Sequence, residues 1–419
     1  MSEARTAVIG ALIVALGSVS MALYTPAMPT LVEVLETTPA AVKLSLSVYL
    51  LGFAFAQLVC GPLSDAFGRR PIALSFFLVY VVGSVIAAFS PTINWLLAAR
   101  ALQGIGVAAG VAISRALVRD QFTGHSSARI MNLIGLILAI GPAVSPTIGG
   151  VLLSAFGWHS IFYVMVIYGV VAVLMMGFWC LETNAAPDPR QAYPGQVVRN
   201  YAMLLTDRGF MRGSLVLGFA IGAFFTLAAM LPFVLMEKVG LTPTQFGVMM
   251  LVQTCFYALG AVVTGRLLRL YEVRHLVPIG LTLIAIAAMG FGAGGRLLPL
   301  SLYTVMAPVA FWAFGSALVI PGATTAALAG FPAVAGAASA LAGFLQIGTG
   351  LAGTALAALM FSDSLTALAT VMPTMGLLAL LSHLTLGPRR GARAVTIAPG
   401  GSEAAADPAR MPAQVRQPE

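Results

Sequence analysis

Charge is what this sequence has least of. Asp, Glu, Lys and Arg make up 9% of 419 residues, and only 14 positions are acidic. A soluble chain of this length needs far more charged surface, so a water-soluble globular protein is excluded. Cysteine is scarce too: Cys60, Cys180 and Cys255 fall in or at the ends of separate apolar runs. That pattern excludes a disulfide framework and suits buried small hydrophobes. His125, His159, His275 and His383 also fall at or near the ends of runs. No His/Asp/Glu constellation sits inside the apolar segments, so no metal site, no cofactor and no membrane-embedded enzyme chemistry is expected.

What is present in excess is apolar sequence, 59% of the chain, with a mean hydropathy of +0.96. In lipid every backbone polar group needs an internal partner, which leaves helix bundles or closed barrels. Long unbroken runs select helices. Residues 6–32, 44–64, 71–99, 101–114, 213–236, 239–265, 275–295 and 364–388 carry no charge and give one span each. Residues 130–181 fold back at Gly157, Trp158 and His159 to give two spans, and residues 297–362, broken near Gly330, give two more. At roughly 20 residues per span the expectation is an all-α membrane protein with twelve transmembrane helices. The first run is too long for a signal segment and lacks a small-residue cleavage site, so a retained span is expected.

Positive charge sets the topology. With the N-terminus inside, the inner loops hold Arg69, Arg70, Arg115, Arg119, Arg129, Arg266, Arg269, Arg274 and the tail arginines, whereas the outer loops hold Lys43, Lys238 and Arg296. This bias puts both termini in the cytoplasm, and the net charge of +8 needs no nucleic-acid partner. The expected organisation is a six-helix half over 1–181, a cytoplasmic linker over 182–212, a second half over 213–387, and a disordered tail over 388–419. The linker is proline- and arginine-rich, and the tail lacks aromatics. The halves repeat: Glu33, Pro39, Gly61 and Leu63 recur 204 positions later as Glu237, Pro243, Gly265 and Leu267. Parallel repeats place a substrate cavity near the midplane, between halves that rock.

After the second run the chain reads Gly61-Pro62-Leu63-Ser64-Asp65-Ala66-Phe67-Gly68-Arg69-Arg70-Pro71. Glycines allow a tight turn, and a carboxylate at a helix end can pair with arginine or sit at a helix N-terminus. Such a charged latch can differ between two conformations. Arg100 is the one charge expected within a span, and it either faces the interior or snorkels to the outer surface.

These stretches resemble the major facilitator superfamily, in its twelve-span drug:proton antiporter branch of the bicyclomycin- and chloramphenicol-resistance type. The loop at Gly61–Pro71 resembles the family's G-x-L-a-D-x-x-G-R-[RK] signature. Arg100-Ala101-Leu102-Gln103-Gly104 is similar to its fourth-helix motif, and Gly141-Pro142 through Gly149-Gly150 to the fifth-helix motif of exporters. Tyr24-Thr25-Pro26-Ala27-Met28-Pro29 and the stretch from Gly336 to Gln346 are similar to elements of the same branch. The resemblance implies two pseudo-symmetric six-helix halves, and a latch of Gly61, Asp65, Gly68, Arg69, Arg70 and Asp120. It also implies a coupling role for Arg100, and a kinked, small-faced helix bearing Gly141, Pro142, Pro146, Gly149 and Gly150.

The sequence departs from the branch at one point: none of its acids lies deep in a span, and Ala22 stands where many relatives carry an acid. Three routes to coupling are open. Glu33 or Glu237 titrates in a water-filled outer mouth, Arg100 acts through water or against a cationic substrate, or the coupling differs or is absent. The expected cavity lining is Tyr24, Tyr49, Gln57, Asn132, Phe224, Phe225, Gln253, Tyr257, Trp312 and Gln346, aromatic and uncharged polar groups suited to amphiphiles. The function expected is export of small amphiphilic molecules across the bacterial inner membrane by a monomer, with protons as coupling ion. The alternative is a dedicated exporter of one native metabolite, such as a siderophore or an amino acid derivative.

Overall fold

The computed structural model describes residues 1–122, 124–184, 187–189, 193–331 and 334–386, and the tail expected to be disordered lies outside them. Its elements are α1 Glu3–Tyr24, α2 Met28–Val34, α3 Pro39–Phe67, α4 Arg69–Ala88, α5 Ile93–Gln121, α6 Gly124–Phe156 and α7 His159–Leu174. There follow α8 Pro194–Thr206, α9 Arg208–Pro232, α10 Pro243–Leu267, α11 Val273–Leu297, α12 Leu302–Leu328, α13 Ala335–Met360 and α14 Ser364–Thr385. No strand occurs among the described residues. Eleven of these helical stretches are long and apolar enough to cross a membrane, and α6 adds the apolar stretch Ile140–Phe156. The fold is that of an all-α membrane protein built from two six-helix halves.

Helices α1 and α3–α7 pack on one another, as do α9–α14. Two helices on each side carry the contact between halves: α3 lies along α13, and α6 along α10. The second crossing is close because it uses glycine on both sides. A Cβ on Gly150 would meet the Pro243 carbonyl, and one on Gly247 would meet the Pro146 carbonyl. Small residues let helix backbones approach where lipid supplies no hydrophobic drive.

The repeat has a structural basis. Thr38 caps α3 by accepting from the Ala41 amide at 3.2 Å, with Pro39 in the first turn. Thr242 caps α10 by accepting from Gln245 at 3.2 Å, with Pro243 in the first turn. Proline is favourable there because its missing N–H would have no partner anyway. The segment expected to be a linker contributes α8, whose Tyr201 hydroxyl donates to the Leu58 carbonyl of α3 at 2.8 Å.

Two breaks shape the outer ends of the spans. After Tyr24 the backbone tightens into a 3₁₀ turn, Thr25–Ala27, before resuming as α2. Pro26 and Pro29 withhold amide donors at this point. After Pro232 the backbone widens into a π turn, Phe233–Lys238. The reversal between α6 and α7 is made by Gly157 at φ +77°, a left-handed conformation that glycine adopts without cost. Because the spans alternate, Glu33, Lys43, Glu237 and Asp363 gather at the end of the bundle remote from Met1, called the far end below.

Candidate functional site

Arg100 lies about two turns into α5 and is fully buried, so it faces the interior. Its guanidinium carbon stands 4.5 Å from the Tyr24 ring centre and 4.2 Å from that of Tyr49. Nη1 donates to Gln103 Oε1 at 2.7 Å, and Gln103 Nε2 donates to Ser84 Oγ at 2.8 Å. The rings are themselves held: the Tyr24 hydroxyl bonds Ser45 at 2.7 Å, and the Tyr49 hydroxyl donates to the Gly17 carbonyl at 2.7 Å. Nε and Nη2 have no partner, and Arg100 forms no ion pair among the described residues. Tyr24 and Tyr49, expected in a cavity wall, are instead 0% and 1% exposed, packed against this cation.

The latch residues assemble at the opposite end of the same half. Arg69 opens α4 and pairs with Asp65 one turn before it and with Asp120 of α5, Nε to Oδ2 at 3.0 Å. Its Nη1 also donates to Ser64 Oγ at 2.8 Å. Gly68 turns the chain at φ +102°. Arg70 pairs with no acid of the latch: its guanidinium donates to the carbonyls of Met176 and Gly177 in the π turn after α7. At Gly61 a Cβ would meet nothing within 4 Å, so that glycine is not required for close packing here.

Glu182 completes this cluster and was not singled out in the sequence. Its carboxylate accepts from the Arg69 amide at 2.9 Å and the Arg70 amide at 3.0 Å, which caps the N-terminus of α4. Partial burial pushes its pKa up, but these amides together with those of Asn184 and Thr183 outweigh burial and hold it below the ordinary value. The available signal was its place as the first acid after the charge-free stretch 130–181.

The far end holds a second finding that sequence reasoning missed. Lys43, expected in an outer loop, lies in α3 and is 1% exposed. Its ammonium donates to Ser364 Oγ of α14 at 2.7 Å and sits 4.8 Å from the Phe233 ring centre. One turn along α3, Ser47 donates to Thr354 of α13 at 2.9 Å. Lys238 pairs with Asp363. Burial raises the Asp363 pKa, but Lys238 and the Thr366 hydroxyl and amide overcome it and bring the value down to about 2. Glu33 and Glu237 are exposed beside this seam. The two halves are thus joined and sealed at the far end.

In the helix expected to face small residues to its neighbours, Gly149 backs onto the Leu23 carbonyl of α1 and Gly150 onto Pro243 of α10, while Gly141 faces the Val19 side chain. Pro142 and Pro146 lie within α6. The expected cavity residues meet different surroundings. Trp312 is fully buried and donates Nε1 to the Ala220 carbonyl at 3.1 Å, inside its own half. Gln57 is buried at the seam, its amide against Gly343, and its Oε1 has no partner. Phe225 packs against Gly350, and Phe224 meets the Tyr257 ring edge-on at 6.3 Å. Gln253, Tyr257 and Gln346 are half-buried, and the side chain of Asn132 lies outside the described residues. A cavity of about 190 Å³ opens elsewhere, beside Arg212, Val216, Val277, Ala323 and His383.

The sequence from residue 10 to residue 354 matches the family model described as Major Facilitator Superfamily. The chain belongs to the major facilitator superfamily. It is 32% identical over 334 residues to an uncharacterised MFS-type transporter, YdgK, of Bacillus subtilis, covering 79% of this chain and 83% of that protein. It is 27% identical over 383 residues to multidrug resistance protein D of Escherichia coli, covering 90% and 94%. It is 26% identical over 362 residues to a bicyclomycin resistance protein homolog of Haemophilus influenzae, covering 86% and 90%. Among solved structures, the xylose transporter XylE from E. coli in a partially occluded inward-open conformation superposes with a TM-score of 0.69 at 15% identity, covering 93% and 99%. The chain is therefore a multi-pass membrane transporter and not an enzyme, and it is similar to drug-resistance proteins of the bicyclomycin type.

Proposed function

We propose that this transporter exports small amphiphilic molecules across the bacterial inner membrane by alternating access, as a monomer with cytoplasmic termini and protons as coupling ion. One observation carries the reading. The far end is sealed along the seam between the halves by contacts of small or polar groups: Lys43 to Ser364, Ser47 to Thr354, and the glycine crossing of α6 with α10. Each is a contact that a rocking motion can break without unfolding a helix. With the far end outward, this seam is closed on the outer side; near the other end Arg115 of α5 donates to Ser339 of α13 at 3.0 Å, a contact that inward opening has to break.

The seal lies between the proposed halves 1–181 and 213–387, which move as bodies, while α8 in the segment between them rides on α3. The latch of Asp65, Arg69 and Asp120 lies within one half, so it holds the ends of α3, α4 and α5 together as that half tilts. Glu33 and Glu237 border the seam from opposite halves and are the candidates for carrying a proton there, with Arg100 as the third coupling candidate. Names of relatives that speak of multidrug and bicyclomycin resistance support a drug-like cargo.

The test is expression in an efflux-deficient bacterium scored over a compound panel, with and without an uncoupler. Raised tolerance to several unrelated compounds, lost on dissipating the proton gradient, is the expected result. No change for any compound counts against multidrug export and favours a dedicated exporter of one native metabolite. An E33Q variant with unchanged proton-driven export removes Glu33 from the coupling route.

A further inference from the structure

Among the described residues the buried charged groups are Lys43, Arg69 and Arg100, all cations. Arg69 has its two acids; Arg100 has none, and its unpaired donors are Nε and Nη2. These two atoms share one edge of the guanidinium and point their hydrogens in parallel, which is the edge that takes both oxygens of a carboxylate side-on. Gln103 occupies the other side through Nη1, so this edge is held in place, buried, with no hydrogen-bond partner from the protein. Aromatic faces flank it, at Tyr24 and Tyr49.

One of the rings against this guanidinium can move. Tyr24 ends α1 immediately before the 3₁₀ turn Thr25–Ala27, and that turn packs on α9 and α10 of the other half. Parting the halves at the far end releases the turn from these partners, and Tyr24 is the residue next to the break. The same motion frees the Lys43 ammonium from Ser364 at the seam. An opening far end thus uncovers the Tyr24 ring beside Arg100, which forms no ion pair among the described residues, whereas Lys43 has Glu237 and Asp363 near it.

We propose that the exported amphiphile carries a carboxylate or an equivalent planar anionic group beside an aromatic body, and that the Nε/Nη2 edge of Arg100 receives it. This rests on the exporter reading and specifies its cargo. An anion leaving an inside-negative compartment also moves down the electrical gradient, worth roughly fifty-fold in concentration per 100 mV, so the shortage of membrane carboxylates is less of an obstacle to export.

The test uses the full chain in proteoliposomes with three dyes of one aromatic body: dansylglycine (anion), dansylglycinamide (neutral) and dansylcholamine (cation). Binding and transport of dansylglycine at least about tenfold better than of the amide is expected, with that preference erased in R100Q and partly restored in R100K. Comparing dansylglycine with its amide on the unaltered chain needs no variant, so a misfolded R100Q does not decide the matter. Equal handling of anion and amide, a preference for the cation, or an anion preference that survives R100Q in folded protein overturns the inference and leaves the exporter standing. If none of the three dyes moves or binds, the amphiphile-exporter reading itself is overturned, and this inference falls with it.

Discussion

Arg69 and Arg100 lie on neighbouring helices, α4 and α5, and both are hidden from solvent, yet they meet different surroundings. Arg69 sits at a helix end beside Asp65, Asp120 and Ser64, with Glu182 capping the same turn. Its charge is compensated by carboxylates at the ends of α3 and α5, near the aqueous side. Arg100 sits inside a span, where it has two ring faces, one amide oxygen and two unpaired donors. A guanidinium between rings gains roughly 2 kcal/mol per desolvated face at best, against a desolvation cost of several kcal/mol. The first site is built for holding and the second for receiving.

The largest effect that would break this contrast is at Arg69. Replacing it with Met leaves Asp120 of α5 only the exposed Arg119 at 3.9 Å and the Thr183 hydroxyl at 3.3 Å, and removing one member of a buried pair costs about 3–5 kcal/mol. Because Asp65 is 36% exposed, water takes over part of its solvation, so a loss near the lower end, about 3 kcal/mol, is expected. Thermal unfolding of the purified protein in detergent reads it. A melting temperature unchanged by R69M would mean that the acids are as well solvated without the arginine, and the latch would lose its structural meaning.

How much of this was legible beforehand depended on distance along the chain. Asp65 and Arg69 are four residues apart within a recognisable loop, and Gly157 interrupts an otherwise charge-free stretch, so both could be read from local pattern. Arg100 was expected either inward or at the surface, and its 0% exposure decides for inward. Lys43 was misassigned because its hydrogen-bond partner, Ser364, is 321 positions away and carries no charge to betray it. The cavity list was ambiguous for a similar reason: Tyr24, Tyr49 and Trp312 are the residue types a lining would use, but the same types also make buried hydrogen-bonded packing. Only the three-dimensional neighbours, Arg100 and the Ala220 carbonyl, separate the two roles.

The opposite sign is expected at the second guanidinium. Arg100→Met removes a buried charge and leaves no acid behind, so the melting temperature should stay level or rise, by the order of 1 kcal/mol in stability. Transport should fall at the same time, which a purely structural arginine would not produce. If R100M instead unfolds the protein as R69M does, the rings and Gln103 compensate the charge fully, and the contrast between the two sites disappears.

The smallest effect sharpens the first site. Glu182→Gln keeps the shape of the cap on α4 but removes its charge, and a carboxylate at a helix N-terminus is worth about 0.3–1 kcal/mol. Since the amides hold the folded pKa of Glu182 below its ordinary value, the contribution is complete at neutral pH. It is lost as pH falls from the ordinary glutamate range through the lowered one, because the unfolded chain takes up the proton first. Melting curves of the unaltered protein and E182Q should therefore differ at pH 7 and converge on acidification. A gap that persists unchanged to low pH would assign the effect to packing, and Arg69 would then owe its position to Asp65, Asp120 and Ser64.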